Sequence, residues 1–249
     1  MILPGEHRIF GPSAPPWLQD RTIMLTIAGS RLYGTDMPGS DWDMRGVCVP
    51  PRECIYGIHD FEQYHVDVSS ESDDVDLCVY SLRKFVSLAA QCNPNVVEIL
   101  WSPPEKHVLR HPLWDGLYAI RDAFLSKIAF KSFSGYAMSQ LRKMQASYAK
   151  AGTYDTKNAM HLVRLMRMGV EILRDGEVNV VRPDADYLIS IRYGEVSLDQ
   201  VVAEHDALYQ RMEILREASS LPDGPDYHAI NAVAISITEA AVRDPGGGL

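Results

Sequence analysis

The period of hydrophobic and polar positions changes partway along the chain. Apolar, β-branched runs at 23–28 (IMLTIA), from about 42 to 49, and at 75–80 (VDLCVY) stop at Gly, Pro or polar clusters and predict three strands. From Leu82 the period becomes helical: Leu82, Phe85, Val86, Leu88 and Ala89 recur at three- and four-residue spacing behind Ser81, a suitable N-cap, until Asn93-Pro94-Asn95 stops the run. Residues 96–101 read as a short helix or strand closed by Pro103-Pro104. Beyond about Leu113 the pattern is helical over roughly 113–124, 126–149, 156–174, 198–219 and 227–242, with breaks at Gly152 and at the Asp175-Gly176 exit. Residues 1–22 read as an irregular Pro- and Gly-rich lead-in, 55–64 as a turn-rich insertion, 69–74 as a solvated acidic loop and 245–248 as a disordered tail. The predicted fold class is α+β: a head with a short mixed sheet and flanking helices (1–125), followed by a helical C-terminal half (126–249).

With 249 residues, 46% of them hydrophobic, the chain can build one large or two small cores. No window approaches a membrane span, and MILPGEHRIF lacks the basic region and apolar core of a secretory signal, so the expected location is the cytoplasm, with no membrane partner. Cys48, Cys54, Cys78 and Cys92 form no C-x-x-C pair and have no histidine at zinc spacing; they read as reduced, partly buried thiols. The net charge of −9 excludes a protein that coats nucleic acid by charge alone, but not a local basic groove.

The chemistry concentrates just after the first strand. Ile27-Ala28-Gly29-Ser30 is a strand giving way through Gly-Ser to a helix start, whose unpaired N–H groups bind anions such as nucleotide phosphates; Ser30 adds a hydroxyl and Gly34 permits a sharp exit. Ser40-Asp41-Trp42-Asp43 follows. In a strand, Asp41 and Asp43 project to one side, and two carboxylates so close repel unless a divalent cation such as Mg²⁺ sits between them. A carboxylate within the apolar run 75–80 is costly to bury unless paired or metal-bound, which singles out Asp76; the alternative is that Asp76 ends the loop and Asp74 is the acid.

Gly29-Ser30, Gly34 and Ser40-Asp41-x-Asp43 resemble the signature of the DNA polymerase β superfamily of nucleotidyltransferases. The fuller string GSRLYGTDMPGSDWDMRGV, then IYGIHDFEQ, VDLCVYSLRKF, NPNVVEILW and KNAMHLVRL, resembles the predicted nucleotidyltransferases of the RNA-repair-pathway DNA polymerase β family, from about Ile23 to about Leu173. The resemblance implies a nucleotidyltransferase head in which Asp41, Asp43 and Asp76 are catalytic and hold Mg²⁺ or Mn²⁺. It also implies that Gly29, Ser30, Arg31 and Ser40 hold the phosphates of an NTP such as ATP. An acceptor hydroxyl would then attack the α-phosphorus and release pyrophosphate.

Between Lys127 and Arg174 nine Lys and Arg face two acidic residues, a net of about +7 in an acidic chain. This is the candidate polyanion surface, against the alternative of two amphipathic helices with ordinary basic faces. Lys157, His161 and Arg164, spaced i, i+4, i+7, share a helical face and could grip phosphates of the nucleotide or of the acceptor; His161 alone could equally be structural. Three functions stay open: transfer to an RNA 3′ end (RNA repair or tRNA modification), nucleotidylation of a protein or small molecule, and a non-catalytic nucleotide-binding module.

Overall fold

Two neighbouring parallel strands carry the residues that matter most. A computed structural model describes residues 9–69 and 74–243. Strands β1 (Thr22–Ile27), β2 (Trp42–Cys48), β3 (Gln63–Ser69), β4 (Asp74–Ser81) and β5 (His107–Arg110) form one mixed sheet in the order β3-β4-β2-β1-β5. β2 runs parallel to β4; the other neighbours are antiparallel. Short helices α1 (Gly29–Tyr33) and α2 (Arg52–Tyr56) interrupt the strands, and α3 (Leu82–Ala90), α4 (Pro94–Val97) and α5 (Trp114–Ala119) follow. The helical half comprises α6 (Ile128–Ala151), α7 (Thr156–Asp175), α8 (Ala185–Arg192), α9 (Leu198–Ala218) and α10 (Tyr227–Arg243). The acidic segment 70–73 and the tail after 243 lie outside the described residues.

The chain divides into two compact units that are not sequential: residues 1–89, 99–121 and 226–249 form the first, and 90–98 with 122–225 the second. Relative to the expected division at 125, α10 joins the first unit and the segment 90–98 the second. In the first unit Arg21 donates to the Val49 carbonyl at 2.8 Å and to the Ala241 carbonyl at 3.1 Å, tying the last helix to the start of the sheet.

Strand alternation decides which side of the sheet does what. Leu25 and Ile27 on β1, Trp42 and Met44 on β2, and Val75, Leu77 and Val79 on β4 share one apolar layer, to which β3 adds Tyr64 and Val66. Ile9, Phe10 and Leu18 complete that layer, so part of the expected irregular lead-in is core. Side chains one position out of phase, Asp43, Arg45, His65, Asp67 and Asp76, emerge on the opposite face.

In the second unit α7 is buried along nearly its whole length and packs against α6, α8 and α9. A Cβ on Gly169 would lie 2.5 Å from Met212 Cε and 3.2 Å from Phe133 Cβ, so α6 and α9 approach the α7 backbone where it has no side chain. Arg182, 1% exposed, is held by Glu171 and Asp184, and Arg167 by Asp184 and Glu204, which fastens α8 and α9 to α7 with a satisfied ionic network.

Candidate active site

Asp43 and Asp76 are direct partners in the parallel register of β2 and β4, so their carboxylates emerge side by side from the face opposite the core. Asp74 opens β4 exposed, two residues before Asp76, and pairs with Ser69. Asp41 precedes β2 and is exposed. Its position depends on Arg31, whose guanidinium donates to the Ser40 carbonyl at 2.6 Å and the Asp41 carbonyl at 3.2 Å while lying 4.1 Å from the Trp42 ring centre. Arg31 is thus occupied in shaping the loop, and the Ser40 hydroxyl accepts the Met37 N–H at 2.8 Å within the same loop.

Gly29 is needed for two separate reasons. Its φ is +61°, a backbone region that L side chains rarely adopt, and a Cβ placed on it would sit 1.9 Å from Asp43 Oδ2. The Asp43 carboxylate therefore lies directly against the backbone at the entry to α1, whose N-cap, Ala28, supplies no side-chain acceptor for the first-turn N–H groups. The half-buried Ser30 sits in that turn. Gly34, with φ +76°, and Thr35 both donate their N–H to the Ser30 carbonyl and close the turn, and Lys106 Nζ donates to the Arg31 carbonyl at 2.7 Å.

The sequence reading missed three polar residues here, Arg45, His65 and Asp67. Arg45, two residues beyond Asp43, lies 3.0 Å from Asp76 Oδ2 and 3.6 Å from Asp43 Oδ1, and offsets the repulsion between the two carboxylates. His65 Nε2 lies 2.9 Å from Asp76 Oδ1 and 3.9 Å from Asp67 Oδ1. His65, Asp67 and Asp76 have ligand atoms all within 4.8 Å of one another, a set able to hold a metal ion. Burial pushes the Asp76 carboxyl up, but hydrogen bonds and charge from Arg45 and then His65 outweigh it and hold Asp76 below the usual carboxylate range. The signal for His65 and Asp67 was available in the alternation Tyr64-His65-Val66-Asp67, which the turn-rich reading of 55–64 obscured.

The donor set fits a hard divalent cation. Asp43 and Asp76 present carboxylate oxygens side by side around a cationic group, and the neighbouring group of His65, Asp67 and Asp76 adds a nitrogen that suits Mn²⁺ better than Mg²⁺.

Lys157, His161 and Arg164 all lie on α7 in the second unit, but in different environments. Lys157 is exposed and His161 half-buried. Burial, then the charges of Arg164, Lys157 and Arg192, push the His161 imidazole down to about 3, so it is neutral at physiological pH. Arg164 is 3% exposed and lies 3.7 Å from the equally buried Glu98, an ion pair inside the unit rather than part of an open basic face.

Among the described residues no helix is long and apolar enough to cross a membrane. Over 140 residues the chain is 32% identical to an uncharacterized 38.9 kDa protein of the nrdC–mobD intergenic region of Enterobacteria phage T4; the match covers 53% of this chain and 40% of the phage protein, so it spans less than half of that relative's length. A nucleotidyltransferase-like protein from Exiguobacterium sibiricum 255-15 aligns over 89% of this chain and 72% of its own at 13% identity, with a TM-score of 0.31. From residue 18 to residue 236 the sequence matches the RNA repair pathway DNA polymerase beta family, RlaP, and the chain belongs to that family.

Proposed function

We propose that the protein is a divalent-cation-dependent nucleotidyltransferase that moves a nucleoside monophosphate from an NTP to the 3′ hydroxyl of an RNA and releases pyrophosphate. The observation that carries this reading is the pairing of Asp43 with Asp76 on adjacent parallel strands, with the Asp43 carboxylate seated against Gly29 at the start of α1. Family membership supports the reaction class, and the family's description supports RNA as acceptor.

Asp41, Asp43 and Asp76 would hold the cation, which supplies Lewis-acid polarisation at the phosphates and neutralises developing charge. The chain's own groups do the rest. N–H groups of Gly29 and Ser30, with the Ser30 hydroxyl, orient the phosphate oxygens. Arg31 positions Asp41 through its hold on the Ser40 and Asp41 carbonyls. Asp76, ionised at pH 7, accepts the proton of the attacking hydroxyl. Arg45 keeps two like charges adjacent before substrate arrives. In the second unit Arg164 holds α7 through Glu98.

The test is incubation with each α-labelled NTP, Mg²⁺ or Mn²⁺, and total RNA plus lysate, comparing the wild type with Asp43→Asn. Label that enters ribonuclease-sensitive material, and is lost with Asp43→Asn, is expected. Label that enters protein or a small molecule instead replaces the acceptor. No label from any NTP with either cation overturns the assignment.

A further inference from the structure

One face of α6 carries charge of a single sign. The helix has 24 residues with Lys131, Arg142, Lys143 and Lys150 among them and no Asp or Glu, in a chain where Asp and Glu outnumber Lys and Arg 33 to 24. All four cations are exposed, and among the described residues none has an ion-pair partner. Of the other cations of the basic stretch, Lys157 lies exposed on α7, while Lys127 is engaged with Asp223, Arg164 with Glu98, Arg167 with Asp184 and Glu204, and Arg174 with Asp175. At 3.6 residues per turn the four fall within an arc of about 120°, opposite the buried arc of Ala129, Phe133, Ala137, Leu141 and Met144.

The residues between the cations are small. Gly135, Ser139, Ala146 and Ala149 occupy the same exposed arc. A glycine inside a helix weakens it relative to alanine. At Gly135 nothing in the fold uses that missing side chain, because a Cβ there would meet no atom within 4 Å. The low profile is therefore on the outside, where it lets a partner's backbone lie close between the cations. From Lys131 to Lys150 the row extends about 28 Å, enough for several phosphates. The cationic arc lacks the large apolar anchors that a protein partner would engage.

We propose that this face of α6 binds the sugar-phosphate backbone of single-stranded RNA. Only the identification of that RNA as the acceptor strand rests on the nucleotidyltransferase reading. The test uses the full chain, a short fluorescein-labelled single-stranded RNA without NTP, and fluorescence anisotropy across a salt series. Each lost phosphate contact removes about 0.7 from the log–log salt slope, so replacing all four cations with Gln should flatten it by about 2.8. Between about 50 and 200 mM salt the wild type then loses about 50-fold more affinity than the variant. Gly135→Gln should raise the thermal midpoint, by favouring the helix, while weakening RNA binding several-fold. An unchanged salt slope in the four-residue variant overturns the proposal. So does displacement of the RNA by poly-L-glutamate at equal charge, which would make the face a generic polyanion or protein dock. Because this binding needs no NTP, absence of nucleotidyl transfer overturns the previous reading and leaves this one standing.

Discussion

Replacing Gly29 with Ala should separate folding from function at the entry to α1. Two penalties add: an alanine at φ +61° costs about 1–2 kcal/mol, and the new Cβ, 1.9 Å from Asp43 Oδ2 and 2.6 Å from its Cγ, must displace that side chain at an overpacking cost of about 1–3 kcal/mol. The sum, about 2–5 kcal/mol, should lower the thermal midpoint by about 4–20 °C for a chain of this size. The carboxylate has to move by more than an ångström to clear the Cβ, and misplacement of that order costs about 100-fold in turnover. Differential scanning fluorimetry and single-turnover transfer of labelled NMP would read both effects. Asp43→Ala in the same background removes the two nearest atoms and leaves Cβ at 2.8 Å, so it should recover stability on the order of 1 kcal/mol but no activity. Gly29→Ala with wild-type turnover, or no recovery in the double variant, would refute the packing of Asp43 on Gly29.

The remaining predictions concern charge. Arg164→Met should cost about 3–5 kcal/mol by removing one partner of a buried ion pair, and Arg164→Met with Glu98→Gln should cost much less; a denaturant titration in which both variants match the wild type would return Arg164 to a surface role. His161 is neutral in the fold down to about pH 3, whereas the unfolded chain binds its proton below about 6.5, so stability should fall as pH drops through that window. His161→Gln should flatten the decline in melting temperature between pH 6.5 and 4, and an unaltered pH profile counts against the burial argument. His65→Ala should weaken Mn²⁺ binding by at least about tenfold, since even residues that merely support metal ligands cost that much, while Mg²⁺ binding changes less. Equal effects on the two cations in calorimetry would remove His65 from the ligand set.

The turn after β1 and the strands β2 and β4 could be read from the sequence because each combines a strong local pattern with a residue that is expensive in its setting, Gly at a strand end, a carboxylate entering a strand, a charge inside VDLCVY, although Asp41, expected in the strand, precedes it. Strand β5 could not, because His107–Arg110 is four residues long and forms only by pairing with β1. The lead-in was read as irregular since Ile9, Phe10 and Leu18 lack any period, and their burial is decided by the sheet they cover. Arg164 misled for a different reason. Its i, i+4, i+7 spacing with Lys157 and His161 is real, but Leu162, Val163, Leu165, Met166 and Met168 surround it with apolar positions on every side, the mark of a helix enclosed by others.

The hydrogen bond from Arg21 to the Ala241 carbonyl joins residues 220 positions apart, and it bears on how the protein is made. A ribosome delivers the sheet before α10, with the whole 122–225 segment emerging between them. The second unit is available to fold during translation, while the unit that carries the carboxylates waits, one side unfinished, for a helix translated after the whole of the second unit. Closing so long a loop is slow relative to local structure. A transcript cut short before α10 would therefore yield a chain with the residues of the helical unit and an unclosed carboxylate unit.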